Sequence, residues 1–187
     1  MKKTIITLLF FAIISVVAAS AQIRIEPFLG VTFPTRDAQV DPLVGPQFGL
    51  TAFKDLNNST LSIGAEAYVS IALREGDFKN NGSTDQWALR TISLLSVAEW
   101  RFLQLNKSIF YAGLGVGICN RTETLPGFAN YKDISSIGFC CSPRVGVRIS
   151  DRFTISLNLS ITEKDYNTVG LRLGYAFGKR TSKEVDY

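Results

Sequence analysis

The sequence predicts an all-β chain, an eight-stranded antiparallel up-and-down barrel that crosses a membrane on its strands. Three observations carry this reading. Eight segments alternate apolar and small or polar residues with period two, the strand signature. The connections between them alternate long and short. The polar face of the strands holds Ser, Thr, Gly and a few Arg and Glu, whereas lysines sit at strand ends and in loops (Lys54, Lys79, Lys107, Lys132, Lys164, Lys179).

The first residues read as a targeting segment. Lys2 and Lys3 precede an uncharged, mostly apolar run over residues 5–19, and Ala19-Ser20-Ala21 matches a small-x-small cleavage pattern. That run is shorter than the roughly 20 apolar residues of a spanning helix. Residues 1–21 are therefore expected to be a signal peptide and residues 22–187 the barrel domain. The residue after the cut is Gln22, not cysteine, so no lipid anchor is expected. Of the 187 residues, the remaining 166 (187 − 21) suit one domain. Without Lys2 and Lys3 the balance is 18 basic against 16 acidic residues, or +2, too weak to argue for nucleic acid.

The strands are expected at residues 23–34, 45–54, 60–73, 88–103, 108–119, 137–149, 153–162 and 168–178. In the first, Ile23, Ile25, Leu29, Val31 and Phe33 oppose Arg24 and Glu26. In the third, Leu61, Ile63, Ala65, Ala67, Val69 and Ile71 oppose Ser62, Glu66, Tyr68 and Ser70. In the fourth, Ile92, Leu94, Ala98, Trp100 and Phe102 oppose Thr91, Ser93, Glu99 and Arg101. In the sixth, Val145, Val147 and Ile149 oppose Arg144, Gly146 and Arg148. The seventh is the cleanest, with Phe153, Ile155, Leu157, Leu159 and Ile161 against Thr154, Ser156, Asn158, Ser160 and Thr162. A soluble barrel would solvate its polar face and decorate it with Lys, Glu and Asp. The observed distribution favours a polar interior and a lipid-facing exterior, because a closed barrel satisfies every backbone hydrogen bond without an edge. Phe53, Trp100, Phe102, Phe110, Phe153, Tyr175 and Phe177 are expected to form an aromatic girdle at one rim.

The long connections are residues 35–44, 74–87 and 120–136. The short ones are 55–59, 104–107 and 150–151, with 163–167 intermediate. This rhythm matches short periplasmic turns and longer outer loops.

The last strand carries the most specific signal. In Thr168-Val169-Gly170-Leu171-Arg172-Leu173-Gly174-Tyr175 a polar residue is followed two on by glycine and then by apolar positions, and Ala176-Phe177 prolongs the pattern. With the eight alternating segments, the chain resembles small outer-membrane β-barrels of the OmpA-like or OmpX-like kind. The resemblance implies an outer-membrane location, both termini in the periplasm, and no following peptidoglycan-binding domain. It also implies contact with outer-membrane lipid and lipopolysaccharide, and delivery by the barrel assembly machinery.

Chemistry is bounded first by composition. The chain has no histidine. A Ser-His-Asp triad, a His-dependent lipid A deacylase and a His-containing omptin-type protease site are excluded, and zinc loses its usual ligand. No catalytic residue, cofactor or metal site is assigned, and the chain is expected not to be an enzyme. The loop segment Asp77-Phe78-Lys79-Asn80-Asn81-Gly82 reads as a solvated loop, since Lys79 occupies a calcium-ligand position.

Arg24, Glu26, Glu66, Glu99, Arg101, Arg144, Arg148 and Arg172 are expected to form a lumen charge network. Eight strands leave an interior just wide enough for side chains, so these groups are read as paired packing. Arg172 should find its carboxylate among Glu26, Glu66 and Glu99. Cys119 and Cys140 share the inward face of neighbouring strands, and a disulfide between them is expected in an oxidising envelope, with Cys141 pointing outward.

The reading that follows is a non-enzymatic outer-membrane barrel with a structural or surface-interaction role, its extracellular loops meeting a surface ligand. The alternatives are a narrow channel or small-solute transporter and a soluble periplasmic ligand-binding barrel.

Overall fold

The computed structural model describes residues 23–35, 41–56, 60–76, 85–124, 134–162 and 167–178. The strands are β1 (Ile23–Pro34), β2 (Asp41–Leu43), β3 (Gly45–Asp55), β4 (Leu61–Gly76), β5 (Asp85–Leu105), β6 (Ser108–Thr124), β7 (Ile134–Ile149), β8 (Phe153–Thr162) and β9 (Thr168–Tyr175). β2 and β3 both pair with β4 and act as one stave broken at Val44, so nine segments make eight staves. Every pairing is antiparallel, and β1 pairs with β9 from Phe28–Gly174 to Pro34–Thr168. With β4 paired to β5 the ring is closed. The expected eight-stranded up-and-down barrel is the fold observed.

Register sets the shape. Crossing the ring by partners runs Arg24, Phe53, Gly64, Val97, Gly115 and Ser142. Ser142 lies in register with Ser160, between the Cys141–Ile161 and Arg144–Asn158 pairs. The walk continues through Thr168 to Pro34, ten residues beyond its start (34 − 24). For eight strands, a shear of ten gives a tilt of about 41° and a backbone radius of about 8 Å, taking ~3.3 Å per residue and ~4.8 Å between strands. Such a lumen is filled by side chains.

The faces follow the expected parity. Leu29, Phe48, Leu94, Ile118, Val145, Leu157 and Leu173 stand exposed on the outside. Arg24, Glu26, Thr51, Ser62, Glu66, Glu99, Arg144, Arg148, Asn158 and Arg172 are buried inside. Trp100, Phe102, Phe153 and Phe177 line the outer surface at the short-turn end, with Tyr175 edge-on to both Phe153 (5.1 Å) and Phe177 (4.7 Å). Phe53 departs from the expected girdle. It shares the inward parity of Thr51 and is 1% exposed, a lumen residue.

Five staves run further towards the long connections than the alternation indicates: the β2–β3 stave begins at Asp41 and β4 continues to Gly76. β5 begins at Asp85, β6 continues to Thr124 and β7 begins at Ile134. The residues there, such as Asn120, Arg121, Thr122 and Glu123, break the apolar pattern, yet the β6–β7 ladder persists to the Glu123–Ile134 pair. A ladder beyond an apolar band needs backbone pairing only, so hydropathy does not mark its end. At the opposite end, the turn after β7 places Ser150 and Asp151 at φ of 52° and 60°, and the Arg152 amide donates to the Ile149 carbonyl at 3.1 Å.

Inward glycines make room for rings on facing strands. Tyr111 pairs with Gly146, and a Cβ on Gly146 would lie 2.6 Å from the Tyr111 ring and 2.7 Å from the Ile155 carbonyl oxygen. Gly49 likewise pairs with both Phe28 and Tyr68. Gly146→Val is expected to destabilise the barrel by about 1–3 kcal/mol through overpacking. Urea titration of the folded protein checks this, and Tyr111→Ala in the same chain should recover part of the loss.

Candidate functional site

The lumen holds the only concentration of buried charge among the described residues, and it is built in two layers. The layer near the short turns joins Arg24, Glu26, Asp55, Glu99 and Arg148. Arg148 Nη2 donates to both Glu99 oxygens at 2.9 and 3.1 Å and lies 3.5 Å from Glu26 Oε2. Arg24 Nη2 donates to Glu99 Oε1 at 3.2 Å, and its Nη1 reaches Asp55 Oδ1 at 3.4 Å. Ser62 Oγ donates to the same Asp55 oxygen at 2.5 Å.

The second layer centres on Glu66. Arg144 Nη1 donates to Oε2 at 2.5 Å, Arg172 Nη1 to Oε1 at 3.0 Å, and Thr51 Oγ1 to Oε2 at 3.0 Å. Of the three carboxylates considered for Arg172, Glu66 is the one in contact. Arg172 Nε also donates to Gln47 Oε1 at 3.3 Å.

Aromatic rings separate and cover the guanidinium groups. Arg24 lies 4.5 Å over Phe53, Arg148 5.3 Å over Tyr111, and Arg172 4.4 Å over Phe28 and 4.8 Å over Tyr68. The delocalised, weakly hydrated guanidinium suits such stacking, which an ammonium would serve less well. A cavity of ≈ 10 Å³ lies between the layers, lined by residues that include Glu26, Thr51, Glu99, Arg144 and Arg172. That is room for about one water molecule.

Seven of the eight residues expected in the lumen network are therefore brought together. Arg101 stands at its rim. It is half-buried at the short-turn end, where its Nε and its amide both donate to the Thr60 carbonyl, at 3.2 and 2.9 Å. The ladder shifts register between Arg101 and Leu103, which turns the strand end away from the central layers.

Sequence reading missed six participants, among them Gln47 and Thr51 on a strand whose faces were not assigned. Asp55 lies one residue past the expected end of its strand. Phe28, Phe53 and Tyr111 are aromatics that the inward parity places in the lumen, but a polar-interior expectation passes over them. Leu95 and Val97 are buried on the same face, so the lumen is mixed, not uniformly polar.

Above the Glu66 layer, Tyr68 Oη and Ser160 Oγ are 3.3 Å apart, and Cys140 Sγ is 3.4 Å from Ser160 Oγ. Cys119 and Cys140 both face the lumen, as expected, but no disulfide joins the cysteines. Cys119 pairs with Gly138 and Cys140 with Gly117, which makes the two a diagonal pair. Diagonal Cα atoms lie about 7–8 Å apart. A disulfide asks for about 4.4–6.8 Å, so the expected Cys119–Cys140 bridge is not formed in this arrangement.

No family model matches the chain, and no curated protein matches it. Solved structures do. Neisserial surface protein A aligns at a TM-score of 0.56 and 11% identity, over 84% of this chain and 97% of that one. Ail of Yersinia pestis, in complex with the heparin analogue sucrose octasulfate, aligns at 0.49 and 15% identity, over 84% and 99%. The outer membrane protein OprG of Pseudomonas aeruginosa aligns at 0.48 and 14% identity, over 85% and 97%.

Removing one carboxylate tests the network. Glu66→Gln leaves Arg144 and Arg172 buried without their counter-ion and is expected to cost about 3–5 kcal/mol. Arg101→Gln at the rim should cost about 1 kcal/mol. Urea midpoints of the two variants, compared with the parent, check the ordering. What the comparison establishes is the fold: this chain shares the small, closed β-barrel architecture of neisserial surface protein A.

Proposed function

We propose that this chain is a non-enzymatic outer-membrane barrel that acts as a rigid stave-built platform for its loops, in a structural or surface-interaction role. The observation that carries the reading is the inversion of burial. Apolar side chains cover the outside of a closed barrel, while ion pairs and hydroxyls fill the inside. In water that arrangement would expose a continuous apolar surface far larger than soluble monomers present. In a bilayer it leaves no strand edge and no unpaired buried charge on the lipid side.

The outer-membrane location, lipopolysaccharide contact, delivery by the barrel assembly machinery through β9 and surface binding by the long loops belong to this proposal. So does cleavage of the signal peptide before Gln22. The signal segment and most of the three long connections lie outside the described residues. The same is true of the solvated segment 77–82.

A packed-lumen role is favoured over a narrow channel because both charge layers span the interior and leave ≈ 10 Å³ between them. Their side chains are held by charge-assisted hydrogen bonds, which makes the plug rigid. A soluble periplasmic barrel would need the opposite orientation of faces.

Three measurements test this. The protein should sediment with outer membranes, show heat-modifiable gel migration, and yield an N-terminal sequence starting at Gln22. Recovery in a detergent-free periplasmic supernatant would refute the membrane reading. In planar bilayers the purified barrel should give no steady solute-permeable openings, and sustained conductance would overturn the packed-lumen view. Leu94→Arg, which puts a charge on the exposed outer face, is expected to cost about 2–4 kcal/mol if that face meets lipid near the midplane. Urea titration in phospholipid vesicles reads this, with little change expected for Leu94→Ala.

A further inference from the structure

The four lumen arginines described above are each matched by a carboxylate. Arg24, Arg144, Arg148 and Arg172 all lie within 3.5 Å of Asp55, Glu66 or Glu99. Four arginines face Glu26, Asp55, Glu66 and Glu99, so the two layers are electrically balanced. A fifth buried arginine is left over. Arg121 is 3% exposed, yet its Nε and Nη1 have no hydrogen-bond partner. Among the described residues no ion pair joins it to a carboxylate, although Glu123 is the next inward position along β6.

Its position follows from parity. β6 continues past Cys119 to Thr124, so Arg121 shares the inward face of Cys119. In register it stands between Thr91 on β5 and Ser136 on β7, residues of the same inward face. It therefore lies two residues beyond Cys119 towards the long-loop end, above both charge layers.

An arginine does not shed its proton in a protein. A buried guanidinium without a counter-charge costs several kcal/mol. Every other buried arginine of this lumen avoids that cost by direct pairing, and Arg121 does not. Its flanks are a threonine and a serine, side chains that accompany an anion without competing for it as a carboxylate would.

We propose that Arg121, with Thr91 and Ser136 beside it, is a binding subsite for an oxyanion group, a phosphate or sulfate entering the lumen from the long-loop end. The ligand's anionic oxygens accept from the unpartnered Nε–H and Nη1–H groups, giving the fifth arginine the direct ion pair that the other four have. The group could arrive as a free anion or on a lipid headgroup, and the chemistry is the same.

The test uses the full-length folded barrel. Inorganic phosphate and sulfate are titrated by calorimetry and by thermal unfolding in zwitterionic detergent, at ionic strength held constant with chloride. The unfolding measurement is repeated in vesicles with and without a phosphomonoester lipid. The parent should be bound and stabilised beyond the chloride control. Arg121→Gln should bind at least about tenfold more weakly, the loss of one charge-assisted contact. Arg121→Lys, which keeps the charge, should retain part of the binding and guards against misfolding of the glutamine variant. A response to free anion assigns a soluble source, and a response confined to the phosphomonoester vesicles assigns a headgroup. Equal responses in parent and Arg121→Gln, or none in either medium, would overturn the proposal and point to a counter-ion supplied by the chain's own loops.

Discussion

Closure of β1 on β9 is the constraint from which the other features follow. An unpaired strand edge leaves a row of amides and carbonyls without partners. The seam from Phe28–Gly174 to Pro34–Thr168 completes that pairing, and the Ile25–Phe177 bridge extends it, with hydrogen bonds of 2.9 and 2.7 Å. Closing eight strands with a shear of ten then sets the radius. Once the radius is set, the lumen is too narrow for bulk water and too wide to be left empty.

The side chains that fill it are chosen by two competing demands. Each polar residue must be satisfied, and the volume must be occupied. Arginine meets both, since it fills space with its stem and carries five donors in a planar head. Glu66 and Glu99 each accept from two arginines and so bridge several strands, with Glu26 and Asp55 completing the charge balance. The rings of Phe28, Phe53, Tyr68 and Tyr111 take up the remaining volume. They are admitted where a facing strand offers glycine, as at the Tyr111–Gly146 and Tyr68–Gly49 pairs. Burial of these ions does not by itself argue for high stability, because desolvation offsets much of the attraction. It argues for a single arrangement, since any change of register would separate the partners.

The same logic separates the platform from its loops. The strands are over-determined by closure, register and ion pairing. On rigid scaffolds in general, binding residues concentrate in the connecting segments. Arg121 lies where the two regimes meet, still on a strand but above the balanced layers.

Much of this was legible in the sequence. Period-two alternation identified the staves and their faces, and the scarcity of mid-strand lysine indicated which face pointed inward. Parity alone placed Arg24, Glu26, Glu66, Glu99, Arg144, Arg148 and Arg172 in one lumen, because a strand's side chains alternate wherever its ladder is unbroken. It could not say who meets whom. That Arg172 and Arg144 share Glu66, that Asp55 completes the lower layer, that Phe53 turns inward, and that Cys119 and Cys140 stand diagonally are consequences of register and shear. Those quantities depend on how all eight strands are staggered around the ring, and no single strand encodes them. The sequence by itself determined the alternation and therefore the inside and the outside. Tertiary structure decided the partners, because pairing across a lumen is set by the closure of the whole barrel.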